Sequence, residues 1–387
     1  MSIAIIGAGL AAASAVETLR DVGSEEPIAV VGTEPHPPYE RPQLSKDMLQ
    51  GKEFKLRHDE QWYADHAVDL RQGVTATAID RDVRTVMLSD GGWLPYDRLL
   101  IATGASPRVP DLPGIEHALT LRTVEDARRL RESFEPGRRL VTIGGGWIGL
   151  EVAAAARQAG LRVTVLEQAS LPLGHVLGEE MASYLVDLHT RHGVEIKTGA
   201  RVTAVTTTGV STNLGEFPAD LVVAAIGAVP NTDLAEAAGL KVALPDVGAG
   251  VVVGDHLQTD DPAIFAAGDV ALADHLTLGP LRIEHWDNAI RQGRLAARAM
   301  LGEHVHYDWA PYFFTDQFDF GMEYVGHASP DDDVVVRGDR DKGEFIAYWL
   351  RGRTLTAAMN VNIWDVNDRL RELVGTEVAP ADLTDLR

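Results

Sequence analysis

The chain has 387 residues, 45% of them hydrophobic and 24% charged, which is enough for two or three ordinary cores and leaves no low-complexity tract. Its 35 Lys and Arg against 57 Asp and Glu give a formal net charge of −22, which argues against nucleic acid and anionic membrane surfaces as general partners. It contains no cysteine, which excludes disulfide relays, thiol nucleophiles, thiolate zinc sites and cysteine-held iron–sulfur clusters.

The first predicted element is an apolar strand from Ile3 to Ile6, running into Gly7-Ala8-Gly9-Leu10-Ala11-Ala12 and an alanine-rich helix that reaches Arg20. In this G-x-G-x-x-A turn Gly7 permits the sharp bend and Gly9 lets a pyrophosphate approach the backbone. Ala12, with Ala11 beside it, is small enough for helix and strand to pack closely, and the pyrophosphate would rest on the positive helix N-terminus. The apolar run from Ile3 to Val16 lacks the basic lead and cleavage region of a secretory signal, and no apolar run approaches the roughly 18 residues that span a bilayer. A cytoplasmic location is therefore expected.

A second strand, Arg98 to Ala102, ends on Thr103-Gly104. The first motif then returns 137 residues on, where Leu140 to Ile143 feeds Gly144-Gly145-Gly146-Trp147-Ile148-Gly149 and a helical stretch from Leu150 to Ala159. Arg162 to Leu166 forms the next strand, and Glu167 follows Gly146 by 21 residues, the spacing at which an acid reads a ribose hydroxyl. Glu167 would repel a 2′-phosphate and no arginine follows closely, so NADH is favoured over NADPH; the bland reading is an acid at a strand end. Leu221 to Ile226 is a further apolar strand ending on Gly227. Two nests imply two dinucleotides, one suited to a resident redox cofactor and the other to an exchangeable hydride donor.

Thr259 to Asp269 reads as a strand ending in Gly268-Asp269, where the aspartate could meet a polyol hydroxyl, although a bare Gly-Asp pair is more often a turn. Asn288 to Met300 is predicted helical, with Arg291, Arg294 and Arg298 stepping by three and four along one face, either a docking face or a solvated one. The cluster Arg128-Arg129-Arg131 reads as solvated surface. His304-Val305-His306 is too short a signal for a metal site, and no metal is expected.

The segments Tyr39-Glu40-Arg41-Pro42-Gln43-Leu44-Ser45-Lys46, Leu121-Arg122-Thr123 with Glu125-Asp126-Ala127, Gly144 to Glu151, Gly268-Asp269, Glu284 to Ala289 and Pro311 to Gln317 together resemble the ferredoxin, rubredoxin and putidaredoxin reductases. These are flavoprotein components of bacterial oxygenase systems, and the resemblance extends more distantly to apoptosis-inducing factor. It covers nearly the whole chain. It implies an α/β fold of the glutathione reductase kind, with two Rossmann-like dinucleotide-binding domains and a small C-terminal α+β domain. The implied division is an FAD domain over 1–110 and 242–309, an NAD domain over 111–241, and a last domain over 310–387.

The same resemblance puts FAD on the first nest and NADH on the second. Arg41 approaches the FAD phosphates in relatives; Arg122, Asp269 and Trp286 match FAD-contacting positions, and Ala76 one where backbone meets adenine. Lys46 matches the lysine beside the flavin and Glu151 the acid that pairs with it near the nicotinamide, so these two are the expected catalytic residues. Relatives place an acid on the FAD ribose where this chain has Thr33, and Glu34 is the expected substitute. Relatives that reduce disulfides keep cysteines in the stretch that here reads Arg41 to Lys46, so reduced flavin must pass electrons outward. The implied acceptor is a small [2Fe–2S] ferredoxin serving a Rieske dioxygenase or a haem monooxygenase, with Arg294 matching a docking arginine. A rubredoxin reductase, or an interaction flavoprotein like apoptosis-inducing factor, is the alternative.

Overall fold

A computed structural model describes residues 1–386. Two compact units form: Met1–Arg41, Lys55–Ser106 and Ala228–Trp309 make the first, while Pro42–Phe54, Pro107–Gly227 and the chain from Ala310 onward make the second. Residues 228–241, expected with the NAD domain, thus belong to the first unit. Asn231 is one reason, because its side-chain amide donates to the Thr103 carbonyl (2.8 Å) and its own carbonyl accepts from the Thr103 hydroxyl (2.8 Å).

In the first unit five parallel strands lie in the order Val68–Gln72, Ile28–Gly32, Ile3–Ile6, Arg98–Ile101, Ile264–Ala266. The strands Ile3–Ile6 and Ile28–Gly32 are buried at every residue, as continuous apolar runs in a sheet covered on both faces should be. Helix Leu10–Asp21 packs against helix Trp286–Met300 so closely that a Cβ on Gly293 would lie 2.2 Å from the Ala11 carbonyl oxygen. The expected strand from Thr259 shortens to Ile264–Ala266, because Thr259 and Asp261 turn the chain with side-chain acceptors for the amides of Asp261 (3.1 Å) and Ala263 (2.9 Å).

The second unit repeats the plan. Its parallel strands run in the order Val194–Lys197, Arg162–Leu166, Arg139–Ile143, Leu221–Ala224. The nest helix is Trp147–Gln158; it begins three residues before the expected Leu150 because Gly146 already serves as its extended N-cap. The same unit holds a five-stranded antiparallel sheet ordered Tyr312–Gln317, Phe320–Gly326, Thr354–Val361, Glu344–Arg351, Asp333–Asp339. Period-two alternation divides its faces. Phe345, Ala347 and Trp349 join Leu177, Met181 and Leu185 in one core, while Ile346, Tyr348 and Leu350 pack with Leu370 of helix Asn367–Leu373. Among the described residues no helix is long and apolar enough to cross a membrane.

Trp349 is fully buried and donates its indole N–H to the Leu177 carbonyl at 3.2 Å. Trp349→Ala should lower unfolding free energy by about 3–5 kcal/mol, the range for buried aromatics cut to alanine. Chemical denaturation checks this, and a loss below about 1 kcal/mol would contradict the packing described.

Candidate active site

Both nests place a glycine where no side chain fits. Gly7 has φ +99°, and a Cβ there would sit 2.1 Å from the Ala102 carbonyl oxygen on the neighbouring strand. Gly144 has φ +101°, and its Cβ would sit 2.4 Å from the Ala225 oxygen. A Cβ on Gly149 would meet the Gly144 oxygen at 2.2 Å, so the third small residue is held by its own nest. In the first nest that position is Ala12, fully buried, with Ala11 beside it.

Gly9 and Gly146 are extended N-caps, and no side chain caps either nest helix. By contrast Thr123 caps helix Val124–Glu132 through a reciprocal box with Asp126, whose carboxylate also accepts the Arg122 backbone N–H (3.0 Å). The first-turn amides of the nest helices therefore have no side-chain cap at the positive end of the helix dipole. A Cβ on Gly9 would meet no atom within 4 Å. That combination of open cradle and uncapped donors fits a pyrophosphate.

Further groups in the first unit fit a flavin dinucleotide. Glu34 accepts from Arg41 Nη2 (2.6 Å) and the Tyr39 hydroxyl (2.5 Å). Burial works against the Arg41 charge, but Tyr39, Glu34 and Asp269 outweigh it and hold the guanidinium above its ordinary pKa. Thr33 is exposed and, among the described residues, its hydroxyl meets that of Thr75, Oγ1 to Oγ1 at 3.1 Å. Ala76 opens strand Ala76–Asp80, packed against the core, and Gly104 (φ +67°) accepts from Asn231 N–H at 2.9 Å. Gly268 (φ +80°) donates its N–H to Gln292 Oε1 at 2.8 Å. Gln292 and Asn288 lie on the buried face of the helix that Trp286 opens. Among the described residues Gln292 Nε2 and Asn288 Oδ1 have no partner, two buried polar atoms suited to a polar ring edge or polyol. Reading the sequence missed both residues, since amides inside a helix pattern carry no distinguishing spacing.

In the second nest Glu167 accepts from Gly145 N–H (2.7 Å) and from Ala169 N–H (2.7 Å), which seats its carboxylate at the glycine turn. Gly227 (φ +98°) has no atom within 4 Å of where a Cβ would be. These features fit a dinucleotide whose ribose hydroxyls meet an acid.

The structure brings Lys46 and Glu151 together, 105 residues apart, with Nζ to Oε1 at 2.6 Å. The Glu151 side chain is 4% exposed. Its Oε2 accepts from the Ser45 hydroxyl, and its Oε1 also accepts from Thr315 Oγ1 at 2.6 Å. Gln317 Nε2 donates to Thr315 Oγ1 (3.0 Å), and Gln317 Oε1 faces His189 Nε2 at 2.7 Å. Because the Gln317 amide nitrogen is already donating, its oxygen must accept, which fixes His189 as the Nε2–H tautomer. Every hydrogen bond along this chain therefore points toward Glu151. Asp316, next to Thr315, is held above the ordinary carboxylate value by partial burial, with Lys46 pulling down against Glu151, Asp47 and Glu323.

The three arginines proposed for docking do share helix Trp286–Met300. Arg291 pairs with Asp287 (2.8 Å) and Arg298 with Glu303 (2.7 Å). Arg294 is exposed and makes no ion pair among the described residues.

Two strand–glycine–helix nests and a largely buried Lys–Glu pair, in a chain without thiols, have the plan of a two-cofactor oxidoreductase. The pyridine nucleotide-disulphide oxidoreductase family model matches residues 1–293 and the reductase C-terminal model residues 312–387. The chain belongs to that family. It is 39% identical to the ferredoxin–NAD(+) reductase component of the anthranilate 1,2-dioxygenase system of Burkholderia cepacia, over 97% of this chain and 94% of that protein. Putidaredoxin reductase of Pseudomonas putida is 38% identical, over 93% and 88% of the two chains. In the solved covalent complex of putidaredoxin reductase with putidaredoxin, the matching chain superposes with a TM-score of 0.91 at 36% identity, covering 97% of this chain and 94% of that one.

Burial pushes His189 down to about 4 from its ordinary 6.5, with Gln317 opposing and His192 adding to the fall. Between those pH values the unfolded chain binds the extra proton and the folded chain does not, so stability falls as pH drops through the window and is flat above it. Relative to His189→Leu, the wild type should lose about 1 kcal/mol per pH unit inside the window. Denaturant melts of both proteins from pH 7 to 4 check this; a pH-independent difference would refute a buried neutral imidazole.

Proposed function

We infer that the chain is an NADH-dependent ferredoxin reductase that uses FAD and serves an oxygenase through a small [2Fe–2S] ferredoxin. One observation carries most of the weight: two dinucleotide nests stand in a chain with no cysteine to receive electrons internally. The relatives named as ferredoxin–NAD(+) reductase and putidaredoxin reductase support the same reading. Overall, NADH and two oxidised ferredoxins give NAD+, one proton and two reduced ferredoxins. Bound FAD supplies the conversion between two-electron and one-electron steps.

The chain's own residues bind and orient. Gly7, Gly9, Ala11 and Ala12 would cradle the FAD pyrophosphate, with Arg41 as the nearby cation, Glu34 rather than Thr33 for the ribose, and Asp269 with Gly268 for the polyol. Ala76, Thr103, Gly104, Arg122 and Trp286 are proposed to complete that site, Thr103 acting through the Asn231 tie. Gly144, Gly146, Gly149, Glu167 and Gly227 would hold NADH. Lys46 would offer positive charge to the reduced cofactor. Glu151, held by its ring of donors, makes that largely buried cation tolerable. The reading implies a cytoplasmic enzyme, where its NADH is supplied, working for a Rieske dioxygenase or a haem monooxygenase.

Stopped-flow bleaching of the flavin should be at least about tenfold more efficient with NADH than with NADPH, the scale of a 1.4 kcal/mol charge penalty at Glu167. Equal efficiencies would sink the Glu167 assignment. Cytochrome c reduction should then accelerate on adding a [2Fe–2S] ferredoxin; acceleration by rubredoxin alone, or by no carrier, would favour the rubredoxin-reductase or interaction-protein readings.

Arg294 carries the docking proposal, because Asp287 and Glu303 already neutralise its two helix neighbours. Arg294→Glu should raise the KM for ferredoxin about tenfold and flatten its salt dependence, with NADH-driven bleaching unchanged. Slower bleaching in that variant would contradict a docking role.

A further inference from the structure

The segment after helix Trp286–Met300 carries His304 and His306, whose partners lie 48 to 51 residues upstream in the turn after strand Gly250–Val253. Asp255, His256 and His306 each offer one donor atom, and these atoms all lie within 4.8 Å of one another. His306 Nδ1 stands 2.6 Å from Asp255 Oδ2, and His256 Nε2 stands 3.7 Å from Asp255 Oδ1. We propose that Asp255, His256 and His306 form a binding site for a divalent transition-metal ion of the zinc class.

Three features separate this cluster from a casual ion pair. First, His256 Nδ1 hydrogen-bonds to the Val305 carbonyl, which must accept, so Nδ1 carries a proton and Nε2 is the ring nitrogen turned toward Asp255. A backbone carbonyl that fixes the tautomer of a ligating histidine is the usual outer support of a metal site. Second, the donors sit on tethered backbone: Tyr307 N–H donates to the Asp255 carbonyl at 2.9 Å, and Leu257 N–H closes the turn on Gly254 at 2.9 Å. Third, the donors are already near bonding separations. Metal–nitrogen and metal–oxygen bonds of about 2.0–2.2 Å in a tetrahedral site put donors roughly 3.3 Å apart, so the 3.7 Å pair closes slightly and the 2.6 Å pair opens.

Two imidazoles and one carboxylate suit zinc, copper or nickel, whereas magnesium and calcium prefer oxygen donors. The fourth position is open to water or to His304, whose ring centroid lies 6.4 Å from that of His256. The side chains of Asp255, His256 and His306 are 29%, 38% and 45% exposed, so an ion can enter without unfolding the unit. Once bound it would clip the 254–258 turn to the segment after the long helix.

Holoprotein dialysed against chelator should take up one equivalent of Zn2+ in a competition titration with a chromogenic zinc indicator. The double variant His256→Gln/His306→Gln should lose that equivalent, and each single variant should weaken it by at least about tenfold. Excess Mg2+ should leave zinc binding unchanged. In wild-type protein Zn2+ should also protect His256 and His306, but not exposed His117, from diethyl pyrocarbonate modification read by mass spectrometry. Uptake equal in wild type and double variant, displacement by Mg2+, or no protection of the two histidines would each overturn the site. The protection readout needs no variant, so it decides the matter even if the substitutions disturb folding.

Discussion

The close approach of a glycine to the first carbonyl past the neighbouring strand, made once by Gly7 against Ala102 and again by Gly144 against Ala225, sets the geometry on which the rest is built. In each case the strand must turn through a positive φ that L side chains rarely adopt, and the turn delivers the chain directly into a helix. The helix then starts with no side-chain cap on its first amides, at the positive end of its dipole. Fold and proposed cofactor site are therefore one constraint. A methyl group at either glycine would disturb the sheet and the anion cradle together.

That constraint is local in sequence, which is why so much was legible. The strand–glycine–helix runs, the 21-residue step from Gly146 to Glu167 and the apolar strands at Arg98 and Leu221 all depend on neighbours along the chain. What depends on distant partners was not legible from spacing. Gln292 and Asn288 look like ordinary polar residues in a helix until the fold sets Gln292 against Gly268. The grouping of Pro42–Phe54 with the second unit likewise follows from burial of Leu49 with Leu130 and Phe134, which no periodicity announces. The Lys46–Glu151 pair was expected only because relatives share it; spacing alone could not have joined residues 105 apart.

Charge shows the same division. Net charge is a sum over the sequence and was read directly, but which cation is available is a matter of neighbours. Spacing alone made three arginines on one face equivalent; the family resemblance singled out Arg294, and the fold leaves it as the one that Asp287 or Glu303 does not claim. In a protein of net charge −22 an arginine left without an ion pair makes the surface around it locally less negative than the rest.

The hydrogen bonds from His189 through Gln317 and Thr315 to Glu151 also have a consequence for proton traffic. A hydroxyl can take a proton on one lone pair and release another, but a carboxamide keeps its N–H on nitrogen and its lone pairs on oxygen. Gln317 therefore interrupts any conduction path between the imidazole and the carboxylate, although it joins them structurally. The chain orients without conducting, so no proton passes along it between the carboxylate beside Lys46 and the buried histidine.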